Sequence, residues 1–400
     1  MVRALDRRFP VVLFTNSMVM GGLEEHVLQL STGLIERGFR VGVICSTYDG
    51  IRPLREALAK SGAIVHALPH RRSLVGAIPR TATFVDILRR YRGGVLHLHF
   101  TGYKGGDLAT AAAPIAGIPA VVRSVHLPPV PPITGRDRIA IRLRDRQLAR
   151  VICVSEQTRR EHVTALGRDP RRCTVVHNGV DLRRFSPDIE AIDVRAEFGL
   201  DRDAPIFGTV SRLGEERKGM RYFIEAAAIV AARVPAARFL IVGEGDLRPA
   251  LEQQAASLGI GAKVIFAGQR ADVPALLTAM RVFASPTLYE ACQYNLLEAM
   301  ASALPVVTTP AGVAPEAVED GVSGSLVPLA DPSAMAESVV ALLRDPDRAR
   351  ELGSRARAVV ASRFSVDSMV DSISEIYRDA VGQTDVIVAS ELPEVERQSA

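Results

Sequence analysis

The sequence predicts an α/β protein built from two Rossmann-like domains in tandem. Three observations lead there. At 400 residues the chain is too long for one ordinary domain, and two is the natural division. Short apolar runs of strand length alternate with helix-period patterns from end to end, the signature of parallel α/β layers. A polar stretch holding Pro187 and Pro205, with no strand before Ile206, divides the pattern into two similar halves.

Taken in order, strands are expected at 11–14, 41–45, 64–68, 95–99, 120–124 and 151–154 in the first half. Each is a mainly aliphatic run bounded by polar or turn residues. In the second half they fall at 206–210, 239–242, 264–267, 282–284, 305–308 and 325–327. Between them, segments such as 23–37, 81–91, 221–233 and 334–343 carry apolar residues three and four apart and read as helices packed on a sheet. The expected domains are 1–186 and 205–365, joined by a linker over 187–204. An amphipathic helix over 366–381 follows, then a polar tail over 382–400 with little to bury, expected to be mobile. In a doubly wound sheet ligands sit beyond the carboxyl ends of the strands. Residues just after strands are therefore where chemistry is sought, and two sheets that face each other line one cleft with both sets of loops.

Hydrophobic residues make up 48% and charged residues 24% of the chain, the composition of a compact globular protein rather than a disordered one. A net charge of +4 suits a small anion and is too slight for nucleic acid; no like-charged block or nucleic-acid motif is present. Cys45, Cys153, Cys173 and Cys292 lack C-x-x-C or zinc spacing and read as scattered buried thiols in a reducing compartment. The first apolar run is short, breaks at Thr15-Asn16-Ser17 and lacks a small-residue cleavage site, so it is a strand rather than a signal peptide. No apolar stretch approaches the about 20 residues that a bilayer needs. A cytoplasmic protein is expected. The arginine-rich stretch 136–150 is read as a solvated helix face, with a membrane-surface or acceptor-binding helix as the alternative. That alternative leaves peripheral contact with the inner face of the membrane open. Lysine is scarce, with Lys60, Lys104, Lys218 and Lys263 the only four, so a lysine in a candidate site carries weight.

Three clusters follow strands. Met20-Gly21-Gly22 opens the first helix; a glycine pair lets a ligand approach the backbone, and a helix N-terminus favours an anion such as phosphate. The pattern is not G-x-G-x-x-G and no acid follows at the ribose-binding offset, which disfavours a nicotinamide cofactor. Ser211-Arg212-Leu213 through Arg217-Lys218-Gly219 follows the first strand of the second half. Arg212 and Lys218 are placed to converge on a diphosphate; the plainer reading is a solvated loop paired to Glu215 and Glu216. Glu290 and Glu298 stand eight positions apart, one in a loop and one on the helix it opens, about two turns along. One is suited to sugar hydroxyls and the other to a ribose, with backbone N–H groups from Ala291 onward aimed at an anion. Paired glutamates at a helix start are also common as caps and solvated charges. Asp201-Arg202-Asp203 and Asp345-Pro346-Asp347 match D-x-D only superficially, in linker and helix-start segments, and no metal site is assigned.

Together these landmarks resemble glycosyltransferase family 4, the large group of retaining, nucleotide-sugar-dependent enzymes with the GT-B fold. The residues that carry the resemblance are Gly21-Gly22, then His177-Asn178-Gly179-Val180-Asp181 with Phe185 and Pro187, then Ser211-Arg212-Leu213 through Arg217-Lys218-Gly219. Val242-Gly243-Glu244-Gly245 follows, with Gly268 before Asp272-Val273. The Glu290/Glu298 pair runs into Ala299-Met300-Ala301, and Pro310-Ala311-Gly312 leads through to Glu316. The set keeps the family's order from about 11 to 381. Each landmark is weak singly; together they are specific.

The resemblance implies a GT-B fold whose last helix crosses back to the N-terminal domain, with an acceptor domain first and a donor domain second. It implies metal-independent transfer, with retention, of a hexosyl unit of glucose or N-acetylglucosamine type from a UDP-sugar to a hydroxyl acceptor. That acceptor is a sugar, a lipid-linked glycan or a small molecule. The UDP-sugar is a co-substrate, and no cofactor is implied. Residue by residue, it sets Gly21 and Gly22 against the donor phosphates, Arg212 and Lys218 on the leaving diphosphate, and Gly243 in the donor site. Glu290 would bind the hydroxyls of the transferred sugar, helped by backbone N–H groups of Cys292, Gln293 and Tyr294, with Asn295 in the same loop. Glu298 would hold the ribose, and Arg270 would frame the base. His126, after the strand at 120–124, matches the family's active-site histidine, so the implied catalytic set is His126, Glu290, Arg212 and Lys218. Without the resemblance His126 reads as a strand-end residue. His97 and His99 alternate on one strand; His99, with Tyr103, is assigned to the acceptor, and His97 to the core.

The sequence departs from the family pattern at Ala291, where Gly or Ser is usual, and at Cys292-Gln293-Tyr294-Asn295, which replaces the commoner Phe-Gly-x-Pro type. The His126 loop continues Leu127-Pro128-Pro129 rather than into the usual Asp. These changes bear on donor sugar and acceptor more than on reaction class. Two rival readings stand beside the transferase: another GT-B enzyme such as a nucleotide-sugar epimerase or a phosphorylase, and a non-catalytic GT-B partner. Oligomeric state is left open.

Overall fold

A computed structural model describes residues 9–68, 77–129, 132–189, 194–201 and 203–390, with the side chains of 77–80 and 383–390 excepted. Arg202 of the first D-x-D match and residues 391–400 of the expected tail lie outside the described residues. The chain divides into two compact units, one of 1–154, 158–176 and 369–400, the other of 155–157 and 177–368.

The first unit holds β1 (Val11–Thr15), β2 (Val41–Ser46), β3 (Ile64–Leu68), β4 (Val95–Phe100), β5 (Ala120–Val125), β6 (Arg150–Cys153) and β7 (Cys173–Val175). They form one parallel sheet in the order β3-β2-β1-β4-β5-β6-β7. Parallel strands need crossover helices, and helices on both faces bury both faces of the sheet. That is why β2, β4 and β5 are buried along their whole length; β4 and β5 bury His97, His99, Arg123 and Ser124 among their apolar residues.

The second unit holds β8 (Ile206–Val210), β9 (Arg238–Val242), β10 (Val264–Gly268), β11 (Val282–Ser285), β12 (Val306–Thr308) and β13 (Ser325–Leu326). Its parallel order is β10-β9-β8-β11-β12-β13. Alternation along β8 and β9 feeds two cores: Phe207, Phe239 and Ile241 join the cluster under the helix Met220–Arg233, while Ile206, Leu240 and Val242 join the cluster with Leu296, Leu297 and Met300. Each such side chain, fully buried, contributes on the order of 1.5–3 kcal/mol.

All twelve expected strands are present. β7, not expected, is a three-residue strand of mixed polarity, too short for a period to register. The helix expected at 81–91 runs Ala77–Arg89. The last helix runs Val366–Ser390, past the expected end at 381, so residues 382–390 of the expected tail continue it. From Met369 onward it belongs to the first unit, where Val370 packs on Gly33 and Asp371 pairs with Arg37 at 2.7 Å. Asp345 of the second D-x-D match accepts from Arg348 N at 3.0 Å as the N-cap of the helix Pro346–Arg363; that acid is a cap. The arginine-rich helix Gly135–Asp145 opens with a Thr134–Asp137 capping box. It exposes Ile139 and Leu143 and buries Ile141 and Arg144, so its arginine face is not wholly solvated. No helix among the described residues is long and apolar enough to cross a membrane.

Candidate active site

Strand order decides where chemistry can gather. In each sheet the chain winds outward one way from the first strand, then restarts beside it: β1 neighbours β4, and β8 neighbours β11. At such a switch point the two following loops part and leave a crevice at the carboxyl ends of the strands. The second unit's loops there are 211–219 and 286–293; the first unit's are the segments after β1 and β4.

In the second unit the switch point holds a chain of alternating charges. Glu290 Oε2 lies 2.6 Å from Lys218 Nζ and 2.6 Å from Arg217 Nη1. Arg217 also pairs with Glu215, which in turn holds Arg212 Nη2 at 2.9 Å. Thus Arg217, rather than Arg212, stands beside Lys218, while Arg212 reaches the cluster through Glu215 with its side chain 63% exposed. Glu290 is buried. Burial alone would raise its pKa, but Lys218 and Arg217 outweigh it and hold the carboxyl below its usual range. The group is therefore an anion that accepts hydrogen bonds, not a proton donor.

Backbone geometry locks the two loops together. Leu288 N donates to Arg217 O at 2.8 Å. Gly219 has φ +68°, and a Cβ there would lie 2.0 Å from Pro286 O; no side chain fits, so the loop after β8 lies directly on the loop after β11. Gly243, φ +139°, meets Ser211 O in the same way, which brings the loop after β9 against the β8 loop.

The other expected donor residues are distributed over this frame. Gln293 occupies the N-cap position of the helix Tyr294–Ala301 without a capping bond from its side chain; it is 1% exposed, and both its amide atoms lack a hydrogen-bond partner among the described residues. Asn295 Nδ2 donates to Val210 O at 2.6 Å, tying the helix start to the end of β8, so this side chain is a tether. Cys292 is held by Asn178, and burial pushes its thiol up to about 12, leaving it inert. Tyr294 and Glu298 sit on the helix, half-buried. Arg270 pairs with Asp272 at 2.8 and 2.6 Å and with Glu197, in a cluster of its own. His177 Nε2 lies 2.8 Å from Glu316 Oε2, and Gln157 Oε1 accepts from Gly312 N at 2.8 Å, which anchors the loop after β12.

In the first unit, Gly21 is the N-cap of the helix Gly22–Glu36 in extended backbone, with φ −173°. Sheet register does the rest: Thr15 pairs with His99, and His99 pairs with Ser124, so His126 lies just past the end of β5. His99 Nδ1 and His126 Nε2 are 3.3 Å apart. His26, from the first helix, stacks edge-on to His126 with ring centroids 4.8 Å apart. Burial first, and neighbouring imidazoles second, hold His99 and His126 well below the usual histidine range, so both are neutral. His97 is a core residue as expected, with Nδ1 2.6 Å from Tyr377 Oη and Nε2 2.8 Å from Ser124 Oγ.

Tyr103 is buried with Ile141 and Leu166, its hydroxyl donating to Pro132 O at 3.5 Å, so its side chain is a packing element. The loop that carries it is clamped by buried arginines. Arg123 donates to Gly105 O at 2.8 Å and Gly102 O at 3.0 Å; Arg144 donates to Gly105 O at 2.8 Å and Tyr103 O at 3.1 Å. The sequence reading missed Arg217, His26 and Arg123. Arg217 adjoins the scarce lysine, and His26 stands in the first turn of a helix that follows a strand; Arg123, inside a strand, carries no local signal.

Comparison with known proteins follows the same division. Residues 20–184 match the family model described as Glycosyltransferase Family 4, and residues 204–345 match that described as Glycosyl transferases group 1. The alpha-maltose-1-phosphate synthase of Mycolicibacterium smegmatis is 31% identical over 355 residues, covering 80% of this chain and 88% of that protein. The UDP-Gal:alpha-D-GlcNAc-diphosphoundecaprenol alpha-1,3-galactosyltransferase of Escherichia coli is 26% identical over 377 residues, covering 91% and 95%. Among solved structures, Anabaena HepE in complex with UDP superposes with a TM-score of 0.80 at 24% identity, covering 92% of this chain and 99% of that one.

Proposed function

Given that this chain belongs to glycosyltransferase family 4 and has the GT-B fold, we propose that it moves a hexosyl unit from a UDP-sugar to a hydroxyl acceptor with retention and without a metal. The sugar is of glucose or N-acetylglucosamine type. The observation that carries the reading is the Lys218–Glu290–Arg217 cluster at the β8/β11 switch point. Breaking an anomeric bond builds positive charge on the sugar and negative charge on the departing diphosphate, and rate is gained by stabilising that separation more than the ground state. Lys218, Arg217 and Arg212 supply fixed positive charge for the diphosphate. Glu290, ionised, accepts hydrogen bonds from sugar hydroxyls and is a binder rather than a base. The buried amide of Gln293, short of partners, suits the same hydroxyls.

His126, neutral, is assigned to the transferred sugar near its reacting centre. The leaving phosphate itself takes the acceptor's proton as the acceptor attacks from the same face, so no protein nucleophile is needed. UDP in the Anabaena structure and the UDP-sugar and lipid-linked acceptor in the name of the Escherichia coli relative support a uridine donor and a lipid-linked acceptor among the options.

The test is a thermal-shift and calorimetry screen against UDP, GDP, ADP and their sugars, without added metal, on wild type and Lys218→Ala. Selective stabilisation by UDP, lost in the variant, is expected. No binding to any nucleotide would overturn the transferase reading. A product of inverted anomeric configuration by NMR would overturn retention alone.

A further inference from the structure

The three-histidine cluster of the first unit is arranged for more than hydrogen bonding. His26, His99 and His126 come from three separate elements, and one nitrogen from each lies within 4.8 Å of the others. His99 Nδ1 and His126 Nε2 are 3.3 Å apart, which is the edge of a tetrahedron whose centre lies about 2.0–2.1 Å from each nitrogen, the Zn–N bond length. His99 Nε2 is buried without a partner among the described residues, so the ring can carry its proton there and leave the Nδ1 lone pair to an ion. His97 packs against His99 with ring centroids 4.0 Å apart and the rings tilted by 41°, and it is fixed by Tyr377 and Ser124, a backing that holds the ring of His99 in place. His126, at 9%, is the most exposed of the three, against 2% for His26 and 0% for His99.

We propose that His26, His99 and His126 form a binding site for one divalent transition-metal ion, of which Zn2+ is the leading example, with a water in the fourth position. Three imidazole nitrogens select Zn2+, Co2+, Ni2+ or Cu2+ over Mg2+ and Ca2+, which prefer oxygen. Neutral imidazoles bind the ion without losing a proton: the one between His99 Nδ1 and His126 Nε2 moves to the other nitrogen of its own ring, and both lone pairs turn to the metal. The ion takes the His126 nitrogen out of reach of a sugar, so it acts as an inhibitor of the transfer, not as its cofactor; this last clause rests on the role of His126 proposed above.

The experiment uses the full chain without an affinity tag, stripped with EDTA. Titration with CoCl2 is expected to give the visible absorption of tetrahedral Co2+ at one ion per chain, and ZnCl2 is expected to displace it. CaCl2 and MgCl2 are expected to give no heat in calorimetry. His26→Gln, His99→Gln and His126→Gln are each expected to weaken Zn2+ by more than the about 10–100-fold that supporting residues are worth, while His66→Gln on β3 leaves it unchanged. Absence of the Co2+ spectrum, or Zn2+ affinity unchanged in all three variants, would overturn the site. If a variant misfolds by circular dichroism, X-ray absorption of wild-type Zn2+ protein replaces it: an imidazole shell supports the site, and an oxygen-only shell refutes it. Transfer activity that falls with Zn2+ and returns with EDTA supports the inhibitory role. Binding without inhibition refutes that role alone, and absence of any transfer activity counts against the proposed function while leaving the metal measurements intact.

Discussion

Lys218 Nζ sits 2.6 Å from Glu290 Oε2, so a cation suited to a leaving diphosphate and a carboxylate suited to sugar hydroxyls form one ion pair. Arg217 closes on the same oxygen at 2.6 Å. Arg217 therefore stays on Glu290 when Lys218 is removed, and the loss falls on the diphosphate. Lys218→Ala is expected to lower kcat by about 10²–10³-fold, the effect of deleting one preorganised electrostatic donor. Initial rates with a UDP-sugar measure it; a rate within a few-fold of wild type would remove Lys218 from the transition state.

Gly219 and Gly199 separate two costs of replacing a left-handed glycine. Both have positive φ, +68° and +61°, but a Cβ at Gly199 meets nothing within 4 Å while one at Gly219 lies 2.0 Å from Pro286 O. Gly199→Ala is expected to cost about 1–2 kcal/mol from backbone conformation alone. Gly219→Ala costs more and also displaces Lys218, so its activity falls as well. Urea unfolding of the two variants side by side decides the point, and equal midpoints would contradict it.

Arg123 is fully buried and donates to Gly102 O and Gly105 O. Burial, with Arg144 and Arg168 close by, pushes its pKa down to about 9, yet it remains a cation at neutral pH. Arg123→Met takes Arg123 from Gly102 O and leaves Gly105 O with Arg144 alone, at about 1–3 kcal/mol in all. Arg123→Lys is expected to rescue little, because a point charge cannot span two carbonyls as a fork does. Denaturant midpoints compare the two, and full rescue by lysine would show that charge rather than geometry holds the loop.

Acid stability follows from the buried histidines. Burial holds His97, His99 and His126 well below the usual range and lowers His162 to about 3. In the unfolded chain the same groups take up protons near pH 6.5. Between the folded and unfolded values the unfolded state binds more protons, so stability is at its full value above about pH 6.5 and falls as pH drops below it. The melting midpoint is expected to decline from there towards about pH 5, before most carboxylates titrate, and His99→Gln is expected to flatten the decline. A midpoint flat through that range would contradict the buried neutral state.

The sequence by itself determined the strands, the helices and the polar seam, because a parallel strand buried on both faces must be mainly apolar and that demand is written locally. It missed β7, whose three residues Cys173–Val175 are too few to show a pattern, and it stopped the last helix short. The family motifs likewise placed Lys218 and Glu290 near each other's loops. Tertiary structure decided which side chains meet. Arg217 rather than Arg212 stands beside Lys218 because Gly219 seats the β8 loop on Pro286, a contact between residues 67 positions apart in a chain numbered from one end. His26, His99 and His126 converge because β1 pairs with β4 and β4 with β5, a strand order that no local period encodes. Burial is a property of a residue and its near neighbours, whereas convergence is a property of sheet order and register, and those exist only once the strands have paired.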